Sequence, residues 1–185
     1  MNISYNWLKE YVDFTLTPDE VAAALTSIGL ETGSVEEVQT IKGGLEGIVI
    51  GEVLTCEPHP NSDHMHVTTV NLGEGDPVQI VCGAANVAAG QKVVVATLGT
   101  KLYDGDECFT IKKSKLRGVE SNGMICAEDE IGIGTSHEGI IVLPADAVPG
   151  TPAKDYYNIK SDYVLEVDIT PNRADACSHY GVARD

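Results

Sequence analysis

A mainly β chain of α+β character, in which a five-stranded barrel interrupts a small helical domain, is predicted by three observations. Helical spacing of apolar residues is confined to the two ends of the chain. From about residue 40 it gives way to short Val- and Ile-rich runs punctuated by Gly, Pro, Asn and Asp. Neither end alone is long enough to bury a core, yet together they are. The expected organisation is residues 1–39 as the first part of the interrupted helical domain, 40–150 as the barrel, and 151–185 as the second part.

Taken in order, Ser4 can cap a short helix that carries Trp7, Leu8, Tyr11 and Val12 at helical spacing. A second helix is better marked: Thr17 is an N-cap, Pro18 suits the first turn, and Glu20 completes a capping box. Val21, Ala22, Leu25 and Ile28 then line one face, and Gly29-Leu30 supplies a left-handed stop with an apolar follower. Strand-like runs follow at 48–54, 67–72, 78–82, 93–98 and 108–112, with a closing strand near 139–143. Such close spacing favours a barrel of the oligonucleotide/oligosaccharide-binding (OB) type. Beyond Pro144, Pro149-Gly150 and Pro152, residues 163–169 alternate apolar and acidic as a half-buried strand. Pro171-Asn172 then turns the chain into a final helical stretch.

Composition narrows the function. With 185 residues and 43% hydrophobic content the chain is a folded globular protein, not a disordered one. Its amino end lacks a basic segment followed by an apolar run, and no stretch approaches the roughly 18 apolar residues of a membrane span. A cytoplasmic protein without membrane contact is expected. The five cysteines, Cys56, Cys82, Cys108, Cys126 and Cys177, form no C-x-x-C pair and read as reduced, buried thiols of a reducing compartment. A net charge of −16 argues against nonspecific coating of nucleic acid, so any phosphate contact must be local.

One place supplies it. Residues 40–150 hold seven Lys and Arg against fifteen Asp and Glu, and four of the seven fall in Lys112-Lys113-Ser114-Lys115-Leu116-Arg117. Strand alternation sends Lys113, Lys115 and Arg117 to one side, which suits a row of phosphates; a solvated face or a lysine-guarded sheet edge has the same pattern. Tyr103 and Phe109 are the only aromatics of that segment, so backbone and shape recognition is favoured over base stacking. Asn61, Ser62, Asn86 and Ser121 are candidate hydrogen-bond partners of RNA at the same rim. His59, His64, His66 and Asp63 match no standard metal spacing, and Pro60-Asn61-Ser62 reads as a turn in which Asn61 or Asp63 bonds backbone amides. Gly43-Gly44 and Gly132-Ile133-Gly134 lack the context of a phosphate loop, and no nucleophile–base grouping is present, so no catalytic and no metal-ligating residue is assigned.

Three motifs stand in a recognisable order: His59-Pro60-Asn61-Ser62-Asp63, then Val81-Cys82-Gly83-Ala84 with Asn86-Val87, then Lys115-Leu116-Arg117-Gly118-Val119-Glu120-Ser121-Asn122-Gly123-Met124. They resemble the tRNA-binding domain shared by the beta subunit of bacterial phenylalanyl-tRNA synthetase, the C-terminal extension of methionyl-tRNA synthetases and free-standing tRNA-binding proteins. The flanks, Ser4 to Val12 and the stretches 165–175 and 178–184, resemble the phenylalanyl enzyme's beta subunit alone. The resemblance implies an OB barrel set into a three-helix domain of winged-helix-like, DNA-binding architecture, at the amino end of a longer subunit. It implies an alpha-2-beta-2 ligase whose alpha subunit attaches phenylalanine to tRNA with ATP and magnesium, with no cofactor in this region. Lys112, Lys113, Lys115 and Arg117 would then hold the tRNA backbone. The alternatives are a structural module packed against the rest of its subunit, and a free-standing tRNA-binding dimer.

Overall fold

The computed structural model describes residues 1–105 and 107–185 and divides into two compact units, one of residues 1–40 and 160–185, the other of residues 41–159. Among the described residues no helix is long and apolar enough to cross a membrane.

The first unit begins with β1 (Asn2–Ser4), α1 (Tyr5–Tyr11), α2 (Pro18–Ser27) and β2 (Thr32–Gln39). Ser4 caps α1 by accepting from the Trp7 amide at 3.0 Å. Thr17 and Glu20 form the expected reciprocal box, with the Thr17 amide donating to Glu20 Oε2 at 2.7 Å and the Glu20 amide to Thr17 Oγ1 at 3.4 Å. The stop at Gly29 is also as expected: its φ is +89°, and the Leu30 amide reaches back to the Leu25 carbonyl at 2.9 Å while Leu30 is fully buried. Ile28, expected on the buried face, is exposed, as are Trp7, Tyr11 and Val12; Tyr5 and Leu8 of α1 and Val21 and Leu25 of α2 are buried in the core, and Ala22 packs against it as expected.

The second unit contains β3 (Ile48–Pro58), β4 (His66–Asn71), β5 (Val78–Cys82), β6 (Lys92–Ala96), β7 (Lys101–Asp104), β8 (Glu107–Thr110), β9 (Ser114–Leu116), β10 (Val119–Ser121), β11 (Met124–Ile125), β12 (Val142–Leu143) and α3 (Ala153–Tyr156). Its main sheet has six antiparallel strands, not five: β11-β6-β3-β4-β5, with β12 also on β6. Strand β3 serves two partners because a register shift between Val53 and Thr55 bends it, its first half pairing β6 and its second half β4. Strand β6 is buried on both faces. Val94 and Ala96 pack with Ile48, Ile50 and Leu102, and Val93 and Val95 with Val53, Val70 and Ile80. Residues 108–112 do not form one strand: β8 ends at Thr110, and Ile111 turns inward to anchor the chain before the basic run.

Strand β5 meets the segment 120–122 through three bonds. The Asn122 amide donates to the Gln79 carbonyl at 2.9 Å, Gln79 Nε2 to the Glu120 carbonyl at 2.7 Å, and the Val81 amide to Ser121 Oγ at 3.0 Å. The result is a nearly closed, antiparallel, barrel-like sheet that fits an OB fold. Residues 151–159 pack with this unit, since Ala153 lies in its core and Thr151 accepts from the Ile50 amide.

The chain returns to the first unit with β13 (Ser161–Val167), a 3₁₀ turn at Ala174–Ala176 and α4 (His179–Arg184). That unit is α+β and not purely helical: β13 lies between β1 and β2 in an antiparallel sheet, with Leu165 across from both Ile3 and Val35. The alternation that marks β13 buries Leu165 and Val167 completely.

Truncating Ile50, fully buried in the barrel, to Ala is expected to cost about 2–5 kcal/mol. Thr17→Ala is expected to cost about 1 kcal/mol through the lost cap. Urea unfolding of both variants, with the slope unchanged and the midpoint lowered in that order, checks the two assignments.

Candidate nucleic-acid interface

The basic run builds a hairpin. β9 and β10 pair with Leu116 opposite Val119, leaving Arg117-Gly118 as a two-residue loop. Both loop residues have positive φ, +45° for Arg117 and +96° for Gly118, as a type I′ turn requires. Gly118 adopts this without a steric penalty, whereas a left-handed L-residue costs roughly 1–2 kcal/mol. Bonds from the 59–62 turn hold Arg117 there: Asn61 Nδ2 donates to the Arg117 carbonyl at 3.1 Å, and Arg117 Nη1 to the Asn61 carbonyl at 3.1 Å.

The cations are not a single row. Lys113 pairs with Glu120 at 2.9 Å, both side chains being more than half exposed, and Lys115 stands directly across from Glu120 in the hairpin register. Arg117 leaves the alternation because the chain reverses beneath it. Lys112 lies with Ser114 and Leu116 along a cleft of about 570 Å³ that also takes in Gly83, Ala84 and Ile140. Among the described residues Lys112, Lys115 and Arg117 make no ion pair, so three of the four cations keep their charge free of a carboxylate contact.

The four polar candidates are engaged within the protein. Besides Asn61, Ser62 Oγ accepts from the His64 amide at 3.4 Å. Asn86 exchanges two bonds with Ile140, each 3.0 Å. Ser121 is buried; its hydroxyl accepts from Val81 and donates to the Gly123 carbonyl at 3.1 Å. Asn86 and Ser121 therefore staple the barrel. The turn chemistry expected of Asn61 and Asp63 belongs instead to His59, whose Nδ1 accepts from the Asn61 amide at 3.0 Å, and to Ser62. No group of three or more His, Cys, Asp and Glu that could hold a metal occurs among the described residues.

Sequence reasoning missed Gln79, whose carboxamide fastens the hairpin to β5. A polar residue between Val78 and Ile80 in an otherwise apolar strand was the available signal. Of the five cysteines, Cys82 and Cys126 are buried and Cys56 is half-buried, but Cys108 and Cys177 are exposed. Burial pushes the Cys126 thiol up to about 12 and raises that of Cys82, leaving both as unreactive packing groups.

The hydrogen bond and charge of Lys113, helped by Lys115, hold the Glu120 carboxyl below its ordinary range. With a depressed value in the folded state, the pair's contribution is present above the ordinary carboxylate range and fades as pH falls through the folded value. Lys113→Ala is therefore expected to move the Glu120 titration to higher pH, as read by NMR of its side-chain carbonyl carbon.

Residues 48–152 match the family described as "Putative tRNA binding domain". Over the whole chain, the sequence is 91% identical to the phenylalanine–tRNA ligase beta subunit of Bacteroides thetaiotaomicron, 90% to that of Bacteroides fragilis and 70% to that of Porphyromonas gingivalis. In each case it spans 23% of the relative's length. Since the matched region is more than half of the sequence and takes in the entire barrel sheet and the basic hairpin, this chain belongs to the tRNA-binding domain family.

Proposed function

We propose that this chain is the accessory tRNA-binding region of a phenylalanine–tRNA ligase beta subunit, and that Lys112, Lys113, Lys115 and Arg117 grip the tRNA backbone. The observation that carries the reading is the tethered hairpin: on a chain of net charge −16 it and its lead-in expose Lys112, Lys115 and Arg117, which make no ion pair among the described residues, within the family-matched segment. The contacts fix the position of the RNA and read no sequence. Attachment of phenylalanine, with its ATP and magnesium, belongs to the alpha partner of an alpha-2-beta-2 cytoplasmic enzyme; the beta-subunit names of the relatives support this reading.

The finer architecture follows the same reading: an OB barrel at 40–150 inserted into one domain made of 1–39 and 151–185. Two compact units with this interrupted arrangement support it, although 151–159 side with the barrel. Helices α1, α2 and α4 with a three-stranded sheet are the components of a winged-helix-like fold. Charge speaks against DNA contact there, because that unit holds four Lys and Arg against twelve Asp and Glu.

Exposed Trp7, Tyr11, Ile28 and Tyr180 on the first unit favour a second role, packing against other protein. The two roles separate in a filter-binding salt titration with tRNA. If three or four phosphates are neutralised, log affinity should fall against log salt with a slope of about −3. Lys112→Glu/Lys115→Glu should weaken binding and flatten the slope by about 2, and Glu120→Gln, which releases Lys113, should strengthen it. Curves unchanged by the charge reversal leave only the packing role.

A further inference from the structure

The histidine that opens the 59–63 motif is almost wholly buried, at 4% exposure, beneath exposed neighbours Pro60, Asn61 and Asp63 on one side and the basic hairpin on the other. Neither a metal nor a proton-transfer role uses it, yet both of its ring nitrogens are engaged. Nδ1 accepts from the Asn61 amide at 3.0 Å, so Nε2 carries the ring hydrogen and donates it to the Leu116 carbonyl, also at 3.0 Å. The first bond is local, two residues away. The second crosses 57 residues to the last strand position before the Arg117-Gly118 turn.

We propose that His59 is a positioning residue for RNA binding: its imidazole, with Asn61, latches the basic hairpin so that Lys115 and Arg117 are presented in a fixed place. The inference rests on the reading of the hairpin as the tRNA contact. The strands themselves are too short to hold the hairpin's geometry, since β9 and β10 have three residues each and, among the described residues, pair in a ladder only with each other, β5 bonding β10 at the hairpin's base alone. Its base is fixed by Gln79 and Ser121. Its tip has a left-handed arginine and would relax without an external tie. Three bonds supply that tie: His59 to Leu116, Asn61 to the Arg117 carbonyl, and Arg117 back to the Asn61 carbonyl. A fixed hairpin reaches phosphates without first losing the freedom of a loose loop.

The two nitrogens can be tested separately. Asn carries a polar atom where Nδ1 sits, and Gln carries a donor where Nε2 sits. His59→Asn therefore keeps the local turn bond and loses the latch, whereas His59→Gln keeps the latch. The proposal expects faster amide hydrogen exchange across residues 114–121 and about tenfold weaker binding of a phenylalanine tRNA transcript in His59→Asn, the worth of one hydrogen bond of ordinary strength. Near-parental values are expected in His59→Gln. The slope of affinity against salt should stay unchanged in both, because no charge is removed. Equal losses in the two variants, or an unchanged hairpin exchange in His59→Asn, would overturn it, as would faster exchange with tRNA affinity intact. Should His59→Asn fail to fold, the exposed Asn61→Ala removes the neighbouring tie and is read the same way. A parental chain with no salt-dependent tRNA binding refutes the interface and not the latch, which the exchange measurement still decides.

Discussion

Closure of the barrel at β5 is the constraint on which the rest of the binding unit depends. Strands β3, β4, β5 and β6 are joined by ordinary ladders, but β5 would be an open edge were it not for Gln79, the Val81 amide and the buried Ser121 hydroxyl. Those side chains do two things at once. They satisfy backbone groups that an edge strand leaves unpaired, and they set where the chain enters and leaves the basic hairpin. A motif that resembles a row of surface donors is thus chiefly a closure device, and the charges it carries are placed by the barrel's own geometry.

Electrostatics then decides how an acidic body can meet a polyanion. At physiological ionic strength the screening length is about 8 Å, so carboxylates farther than that from the hairpin act on it only weakly. Glu120 is different, because it is paired with Lys113 and stands across from Lys115 in the hairpin register. The hairpin therefore carries a moderate charge: on the proposed reading, enough for several phosphate contacts, with one carboxylate that weakens them.

Much of this was legible in advance, for reasons that differ by element. The Thr17–Glu20 box and the Gly29 stop are local patterns whose chemistry is complete within a few residues, and they form as read. β6 was legible because both of its faces are buried and its run is uniformly apolar. β2 was not, since Glu36 and Glu37 point to solvent and its partner β13 lies more than a hundred residues away. The β9–β10 hairpin was hidden by its turn: Arg-Gly is a poor substitute for Asn-Gly, and only the distant 59–62 turn makes it acceptable. Asn86 and Ser121 show the same limit from the other side, for a polar residue in a motif looks alike whether it faces RNA or a buried backbone amide.

That dependence on distant partners also explains the kind of recognition available. Tyr103, one of two aromatics in the barrel segment, lies half-buried against Gly43 and Lys42, and Phe109 sits across from Leu102 in the β7–β8 hairpin. Neither lines the cleft beside Lys112, whose walls include the small residues Gly83, Ala84 and Ala85 with Leu116, Ile140 and His137. Small walls admit a backbone closely, and the imidazole that does line the cleft, His137, is engaged with Asp129. On the proposed reading, recognition by such a surface leans on the spacing of phosphates, hence on the folded shape of the RNA, and fixed charges read that spacing best. On the proposed reading, the bonds that hold the hairpin to the rest of the barrel, including the one from Arg117 Nη1 to the Asn61 carbonyl, are part of how its charges are placed for recognition.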